Sequence, residues 1–373
     1  MIRLSQPLID DSDIEAVNRV LRTGYLVQGT EVSAFEDSVR SVVGTRHAIA
    51  VSNCTAALHL SLVAAGIGPG DVVAVSAYSW LSTANVIELV GAKPLFIDIE
   101  FSTFNMDATA LRLALEGAAT KPVAVLVVDA FGGMAPLTEI SAVCDEFGIP
   151  MIEDAACAIG AARDGRSAGA WGAAGCFSFH PRKAVTTGEG GVITTDDDEL
   201  AERLRSLRNH GLDPNAPSPD FIMAGYNLRM TEFQAALGVT QMTKLASLID
   251  GRRSQAAFYN LLLESSEIAT PGPVGESHVF QSYVVSVPGL ASGGVQQVIT
   301  GLNDAGIQAT IGTYHMPLTT FFRNTYGYSE GDFPGADRAI TSAVSLPLHH
   351  GLSQSDQELV ISTLEAVVDR IRN

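Results

Sequence analysis

The sequence has 373 residues, of which 46% are hydrophobic and 17% are charged, and its formal net charge is −18. A chain of this length exceeds what one hydrophobic core normally serves, so a large domain and a smaller one are expected. The negative charge argues against a general binder of nucleic acid or membrane surfaces, because both targets are anionic and attract clusters of Lys and Arg.

The four cysteines show no CxxC spacing, which favours a reducing compartment over a disulfide framework. The amino terminus lacks an apolar signal core, and no apolar run reaches the roughly 18 residues of a spanning helix. We therefore expect a cytoplasmic protein with no nucleic-acid partner, no membrane partner and no metal site.

Short apolar runs alternate with helical patterns from about residue 10 to 245. Strands are predicted at 47–51, 72–75, 94–99, 122–128, 150–153 and 175–179. Amphipathic helices are predicted between them at 55–65, 83–90, 107–116 and 137–147. This alternation predicts an α/β fold, with a mostly parallel sheet flanked by helices and ligands at the carboxyl ends of the strands.

A helical pattern from roughly 230 to 265 precedes a Pro- and Gly-bearing segment at 270–273, which we interpret as a hinge. A strand at 280–287, a helix at 294–305, a strand at 307–311, an irregular stretch at 311–328 and a helix from 354 follow. The predicted division is a large domain at 10–245 and a small α+β domain at 246–373, on which residues 1–9 pack.

Lys183 is the most informative residue for chemistry. It follows the apolar strand that ends at Phe179 and precedes the Gly-rich bend 188–191. A lysine at the mouth of a sheet, near other cations or partly desolvated, can attack an aldehyde. An exposed surface lysine is the alternative interpretation.

Two further elements complete a pattern at the ends of successive strands. Asp154 follows a strand and can pair with a pyridinium nitrogen, although Asp is also common as a helix N-cap. The segment 52–57 begins a helix, whose N-terminal N–H groups suit a phosphate. An amine, a carboxylate and a phosphate cradle together are what bound pyridoxal 5'-phosphate (PLP) requires.

The motifs Ser52-Asn53-Cys54-Thr55-Ala56-Ala57, Glu153-Asp154-Ala155-Ala156, Ser178-Phe179-His180-Pro181-Arg182-Lys183 and Gly225-Tyr226-Asn227-Leu228-Arg229 occur in this order. This arrangement closely resembles the DegT/DnrJ/EryC1/StrS family of sugar aminotransferases over nearly the whole chain. The resemblance implies the large-plus-small-domain fold of type I PLP enzymes and a homodimer with active sites shared across the interface.

The resemblance also assigns roles to single residues. It implies that Lys183 forms the Schiff base with PLP and that Asp154 is the partner of the pyridine nitrogen. The other implied cofactor contacts are phosphate contacts at Thr55, Ala56 and Ser178, a phosphate contact from the neighbouring subunit at Asn227, and the ring-stacking Trp80.

Two positions depart from the family pattern. Cys157 stands where many members carry Gln near the phenolic oxygen of the cofactor, and a thiol is a weaker hydrogen-bond partner than an amide. Asp129 stands at a strand end where His is expected, which raises a role in substrate choice. Lys183 itself favours a transaminase over a keto-sugar dehydratase, because some relatives that dehydrate keto-sugars carry His in place of this lysine.

The implied reaction is transfer of an amino group from glutamate or glutamine to a keto-sugar, most simply a nucleotide-linked keto-hexose. Candidate substrate contacts are Tyr25, His180, Arg229, Tyr314 and His315. The sugar and the carbon that receives the amino group are left open at this point.

Several alternatives remain at this stage. One is another PLP enzyme of the same fold, such as a dehydratase, an aldolase or a cysteine desulfurase, but the cysteines lie in or beside predicted strands and helices rather than on a mobile loop. A second is a non-catalytic regulatory relative, against which the presence of Lys183 and Asp154 argues. A Rossmann enzyme is disfavoured because the bend 188–191 lacks the dinucleotide-binding spacing.

Overall fold

The computed structural model describes residues 1–213, 215–272 and 275–372. The predicted hinge at 270–273 includes Pro273, which lies outside the described residues. The helices are α1 (Asp11–Thr23), α2 (Thr30–Val43), α3 (Cys54–Ala64), α4 (Ser82–Leu89), α5 (Ala108–Gly117), α6 (Leu137–Phe147), α7 (Asp198–Arg208), α8 (Glu232–Leu262), α9 (Gly294–Asp304), α10 (Thr320–Tyr326), α11 (Pro334–Ile340) and α12 (Gln354–Arg372).

The strands fall into one large sheet and several small ones. They are β1 (His47–Val51), β2 (Val72–Ser76), β3 (Tyr78–Ser79), β4 (Lys93–Ile97), β5 (Ile99–Glu100), β6 (Asn105–Met106), β7 (Ala124–Val128), β8 (Met151–Asp154), β9 (Ala162–Arg163), β10 (Arg166–Ser167), β11 (Ala174–Ser178), β12 (Gly191–Thr195), β13 (Tyr283–Ser286), β14 (Thr310–Ile311), β15 (Tyr314–His315) and β16 (Ala343–Leu346).

The central sheet has seven strands in the order β1-β12-β11-β8-β7-β2-β4. β12 pairs antiparallel with both of its neighbours, and the other neighbouring strands pair in parallel. The prediction of a mostly parallel α/β sheet is therefore confirmed. Because β1, β8 and β11 run in the same direction, the segments that follow them meet at one edge of the sheet.

Side chains of each strand alternate between the two faces of this sheet, and each face has its own core. Ile152 of β8 packs with α3 and α4 on one face, where Leu58 and Ile87 are fully buried. Met151 and Val127 pack on the opposite face, with α2, α5 and α6. This alternation fixes the face to which each polar residue at a strand end points.

A third core lies between the carboxyl-terminal part of α8, the sheet β13-β16-β14, α9 and α12. Ile2 packs against it and pairs with Ile307 in an isolated bridge. α8 runs unbroken through the predicted domain boundary at 245/246, and the first buried residue of the third core on this helix is Ala256. The division of the chain into two domains stays a prediction.

The segment predicted as irregular, 311–328, is largely ordered. It contains β15, a 3₁₀ turn at Met316–Leu318 and α10, and β15 pairs with the distant β3. The strand predicted at 307–311 is shorter, with only β14 in a ladder. Among the described residues, no helix combines the length and the hydropathy that crossing a bilayer requires.

Candidate active site

Three segments converge at the carboxyl edge of the central sheet. Asp154 is the last residue of β8, Lys183 lies in the loop after β11, and α3 begins three residues after β1. The structure thus brings together the carboxylate, the amine and the helix N-terminus that the sequence places at strand ends.

Asp154 is buried, with 4% of its surface exposed. Its Oδ2 accepts a hydrogen bond from Thr83 Oγ1 at 2.8 Å, and its Oδ1 accepts one from the Ala156 N–H at 3.2 Å. A turn follows it rather than a helix, so the alternative role as a helix N-cap is wrong. Burial raises the pKa of Asp154, while Thr83, the Ala156 N–H and the nearby Lys183 act in the opposite direction.

The Lys183 side chain reaches into the same site. Its Nζ donates a hydrogen bond to Cys157 Sγ at 3.0 Å. Burial acts to lower the pKa of Lys183, but the contact with Cys157 and the charge of Asp154 outweigh it and leave the pKa raised. The oppositely charged side chains of Lys183 and Asp154 therefore lie at the centre of the site, with Cys157 beside the amine.

The lysine loop is held by Gln281, which the sequence analysis missed. Gln281 Oε1 accepts a hydrogen bond from the Ala184 N–H at 2.9 Å, and its Nε2 donates to the Arg182 carbonyl at 2.6 Å. Both bonds are made to the backbone on either side of Lys183. No local sequence pattern predicts this role for Gln281, because it lies almost a hundred positions from Lys183 in sequence.

The N-terminus of α3 forms the predicted cradle. Asn53 caps the helix: its side chain accepts a hydrogen bond from the Ala56 N–H at 2.9 Å. The N–H groups of Cys54 and Thr55, also in the first turn, have no carbonyl of a preceding turn to bond. A Cβ on Gly191 would lie 2.4 Å from the Asn53 carbonyl, so only glycine allows the strand to approach this closely.

Ser178 pairs with Gly191 at the end of β11, so it borders the same cradle. Thr55 is exposed and Ala56 is buried in the first turn of α3. A helix N-terminus with free N–H groups and adjacent hydroxyls binds a phosphate dianion favourably. The residues present therefore fit PLP: α3 would hold its phosphate, Lys183 would react with its aldehyde, and Asp154 would pair with its ring nitrogen.

Trp80 follows β3 and exposes 59% of its surface. Its ring meets Tyr314 edge to face, with centroids 5.5 Å apart and an interplanar angle of 68°. Pairing of Tyr314 with Ser79 brings the candidate substrate residue beside the candidate stacking residue. Contact of Tyr314 with substrate stays a prediction.

The segment around Asn227 lies along the end of β1. The Leu228 carbonyl accepts the Ser52 N–H at 2.9 Å, and Arg229 forms a bridge with Val51. The Arg229 guanidinium donates to Asn209 Oδ1 at 2.5 Å. Asn227 itself is exposed beside the cradle.

The remaining candidate substrate residues differ in exposure. Tyr25 is 67% exposed on the segment between α1 and α2. His180 is partly buried, and burial lowers its pKa. His315 is only 4% exposed, and its Nε2 lies 3.1 Å from Asp337 Oδ1, so the structure gives it an internal partner.

The proposed role of Asp129 in substrate choice is wrong. Asp129 is fully buried. Its side chain points to the same face of the sheet as that of Val127, which is opposite to the face of Asp154. Its Oδ1 accepts the Ala135 N–H at 2.8 Å, and the Glu153 carboxyl faces it. The strand end alone did not reveal this, because one residue along a strand reverses the side-chain direction.

The model of the DegT/DnrJ/EryC1/StrS aminotransferase family matches residues 7–365. The chain belongs to this family. Its cofactor is PLP, and it is a PLP-dependent sugar aminotransferase.

Relatives resemble the chain along its whole length. GDP-perosamine synthase of Caulobacter vibrioides is 34% identical, with 98% of each chain covered. The UDP-4-amino-4-deoxy-L-arabinose–oxoglutarate aminotransferase of Shewanella sediminis is 33% identical, with 98% of this chain and 97% of the relative covered. Spr1654 of Streptococcus pneumoniae in its PLP form superimposes with a TM-score of 0.92 at 27% identity, covering 99% of both chains.

Proposed function

We propose that the enzyme transfers an amino group from glutamate to a nucleotide-linked keto-hexose, with Lys183 as the residue that binds the cofactor and moves the proton. The observation that carries this proposal is the meeting of Lys183, Asp154 and the N-terminus of α3 at one edge of the sheet. The names of the two curated relatives support a nucleotide-linked sugar, and one of them supports glutamate, the amino acid that pairs with oxoglutarate.

PLP, when bound, supplies an aldehyde that takes up the amino group and a ring that accepts electrons. In this proposal the first turn of α3 binds the phosphate, with Thr55, Ala56 and Ser178 around it. Trp80 covers one ring face. These contacts orient the cofactor, so that it reacts without further rearrangement.

Asp154 holds a negative charge at the ring nitrogen and is shielded from water by its burial. A fixed charge in a dry site stabilises the opposite charge much more strongly than it would in water. Lys183 Nζ then serves as the general base and acid that takes a proton from one carbon and returns it to another. Cys157 lies beside this amine, where many relatives carry Gln.

We also propose that the active enzyme is a homodimer whose sites are completed across the interface. The exposed apolar side chains on the segment 25–27, and those of the neighbouring residues Phe221 and Ile222, support it, because runs of large exposed apolar side chains are typical of interfaces. Asn227 follows Ile222 by five positions in sequence and is exposed beside the cradle.

The experiment follows the two halves of the reaction separately. Holoenzyme mixed with glutamate should lose the visible-edge absorbance of the bound cofactor, and addition of a nucleotide-linked 4-keto-hexose should restore it and yield an amino sugar detected by mass. Lys183→Ala should do neither, whereas Lys93→Ala, which removes an exposed lysine on β4, should behave as wild type. Glutamine in place of glutamate tests the donor. A glutamate-driven change with no amino sugar from any keto-sugar would overturn the substrate assignment.

A further inference from the structure

Two buried hydroxyls lie behind the Asp154 carboxylate. Thr83, in the first turn of α4, is fully buried, and its Oγ1 donates to Asp154 Oδ2 at 2.8 Å. Ser79 is also buried, with its Oγ 3.2 Å from Thr83 Oγ1. Because Thr83 has one hydroxyl proton and directs it to Asp154, Ser79 must be the donor in the second bond.

The Ser79 end of this chain of hydrogen bonds is fixed by a long-range strand pairing. Ser79 of β3 pairs with Tyr314 of β15, and Tyr78 pairs with His315. Tyr78 also accepts the Thr313 N–H at its hydroxyl oxygen, at 3.1 Å. The two-residue strand β3 is therefore anchored to a segment more than 230 positions away.

We propose that Thr83 is a positioning residue for Asp154, and that Ser79 and Thr83 form a two-hydroxyl relay which ties this carboxylate to the strand Tyr314–His315. This inference rests on the proposed function of Asp154. The relay connects the Asp154 carboxylate, which would face the ring nitrogen, with the strand that carries the candidate substrate residue Tyr314.

The physical need for the relay follows from burial. An ionised carboxylate removed from water requires hydrogen-bond donors in place of its hydration shell. One Asp154 oxygen has the Ala156 N–H, and the other has Thr83. Without the Thr83 hydroxyl, the second oxygen would lose its side-chain donor, and the pKa of Asp154 would rise further.

Other groups also face Asp154 from the elements packed around it. Lys183, from the loop after β11, favours the ionised carboxylate. The thiols of Cys54 on α3 and Cys176 on β11, and the carboxyl of Asp129 after β7, also interact with it electrostatically. None of these groups is altered by a change at Thr83, so the effect of that change can be assigned to the hydroxyl.

The test compares Thr83→Val, which keeps the shape of the side chain and removes the hydroxyl, with Thr83→Ser, which keeps the hydroxyl. Two pH titrations of the holoenzyme are measured: the absorbance of the bound cofactor and kcat/KM for glutamate. Thr83→Val should move the acidic transition of both upward by about one pH unit, because hydrogen bonds to charged groups have effects of this size. Thr83→Ser should retain the wild-type transition.

Ser79→Ala should move the same transition in the same direction by a smaller amount, because Ser79 acts through Thr83. The double variant should then resemble Thr83→Val, since removal of Thr83 already disconnects Ser79. If the shifts of the two single variants added in full, the relay would be refuted. If Thr83→Val did not fold, the shift in Ser79→Ala would still decide the case, and its absence would refute the relay.

Asp154→Asn separates failure of this inference from failure of the proposed function. If this variant leaves the spectral titration unchanged, Asp154 does not serve the cofactor, and the proposed function fails at this residue. If Asp154→Asn changes the titration but Thr83→Val leaves it as in wild type, only the relay is refuted. A lower thermal midpoint in Thr83→Val with unchanged titrations would show a merely structural role.

Discussion

Replacement of Asp129 by Asn should stabilise the protein progressively as the pH rises. Asp129 and Glu153 are both fully buried, and their carboxyls face each other behind the active site. Burial and the charge of Glu153 raise the pKa of Asp129 well above its ordinary value. Two ionised carboxylates cannot share such a site, so one of them keeps a proton.

The hydrogen bonds identify the residue that keeps the proton. Glu153 accepts two backbone N–H groups, from Gly169 at 2.6 Å and from Trp171 at 3.2 Å, which favours its ionised form. Asp129 accepts only the Ala135 N–H, at Oδ1, and its Oδ2 is directed to no donor. We conclude that Asp129 is the protonated partner and donates to Glu153.

The sign and size of the pH effect follow from this assignment. An acid whose pKa is higher in the folded state binds a proton that the unfolded chain releases, so stability falls as the pH rises from about 3.9 to the folded pKa. Within that window the loss is about 1.4 kcal/mol per pH unit for one proton. Asn does not titrate, and its amide can donate to Glu153 while its oxygen accepts the Ala135 N–H. Asp129→Asn should therefore remove this slope.

The measurement is the thermal midpoint, or the free energy of unfolding by urea, of both proteins from pH 5 to pH 8. The difference between variant and wild type should grow with pH in favour of the variant. Glu153→Gln is the matched control: its amide nitrogen must face the N–H of Gly169 or Trp171, so it should destabilise by about 1–3 kcal/mol at pH 5. Because it also removes the charge that raises the pKa of Asp129, this cost should shrink, not grow, as the pH rises. A difference between Asp129→Asn and wild type that is constant across the range would refute the shared proton.

Other predictions concern the site itself. Lys183→Ala should abolish turnover and the visible-edge absorbance of the bound cofactor while the thermal midpoint of the apo-protein stays near wild type; full activity would refute the role of this lysine. Asp154→Asn should lower the rate about a hundredfold, because a charged contact at the reacting centre costs roughly 3 kcal/mol or more when lost, with little change in apo-protein stability. Sedimentation should show a dimer or larger species, and an active monomer at assay concentration would contradict the shared site. Gly191→Ala should weaken PLP binding, measured by titration of the apo-protein, since its Cβ would displace the backbone of Asn53.

The sequence alone determined much of the fold and the centre of the site. Apolar runs separated by amphipathic stretches located the strands β1, β2, β7, β8 and β11, because buried parallel strands are continuous in hydrophobicity. Their common direction then placed Lys183 and Asp154 at one edge. These inferences depend on patterns a few residues long and on the general rule that ligands bind at the carboxyl ends of parallel strands.

Only the tertiary structure decided which partners these residues have. The turn after Asp154 excluded a helix cap, the register of β7 directed Asp129 away from the cofactor face, and β15 emerged within a stretch without a clear pattern. Gln281 and Thr83 are distant in sequence from the residues they bond, and only the folded chain brings them to the site. A two-residue strand such as β3 has no signal of its own, because its stability comes from a partner more than 230 residues away, and such pairing is a property of the whole folded chain.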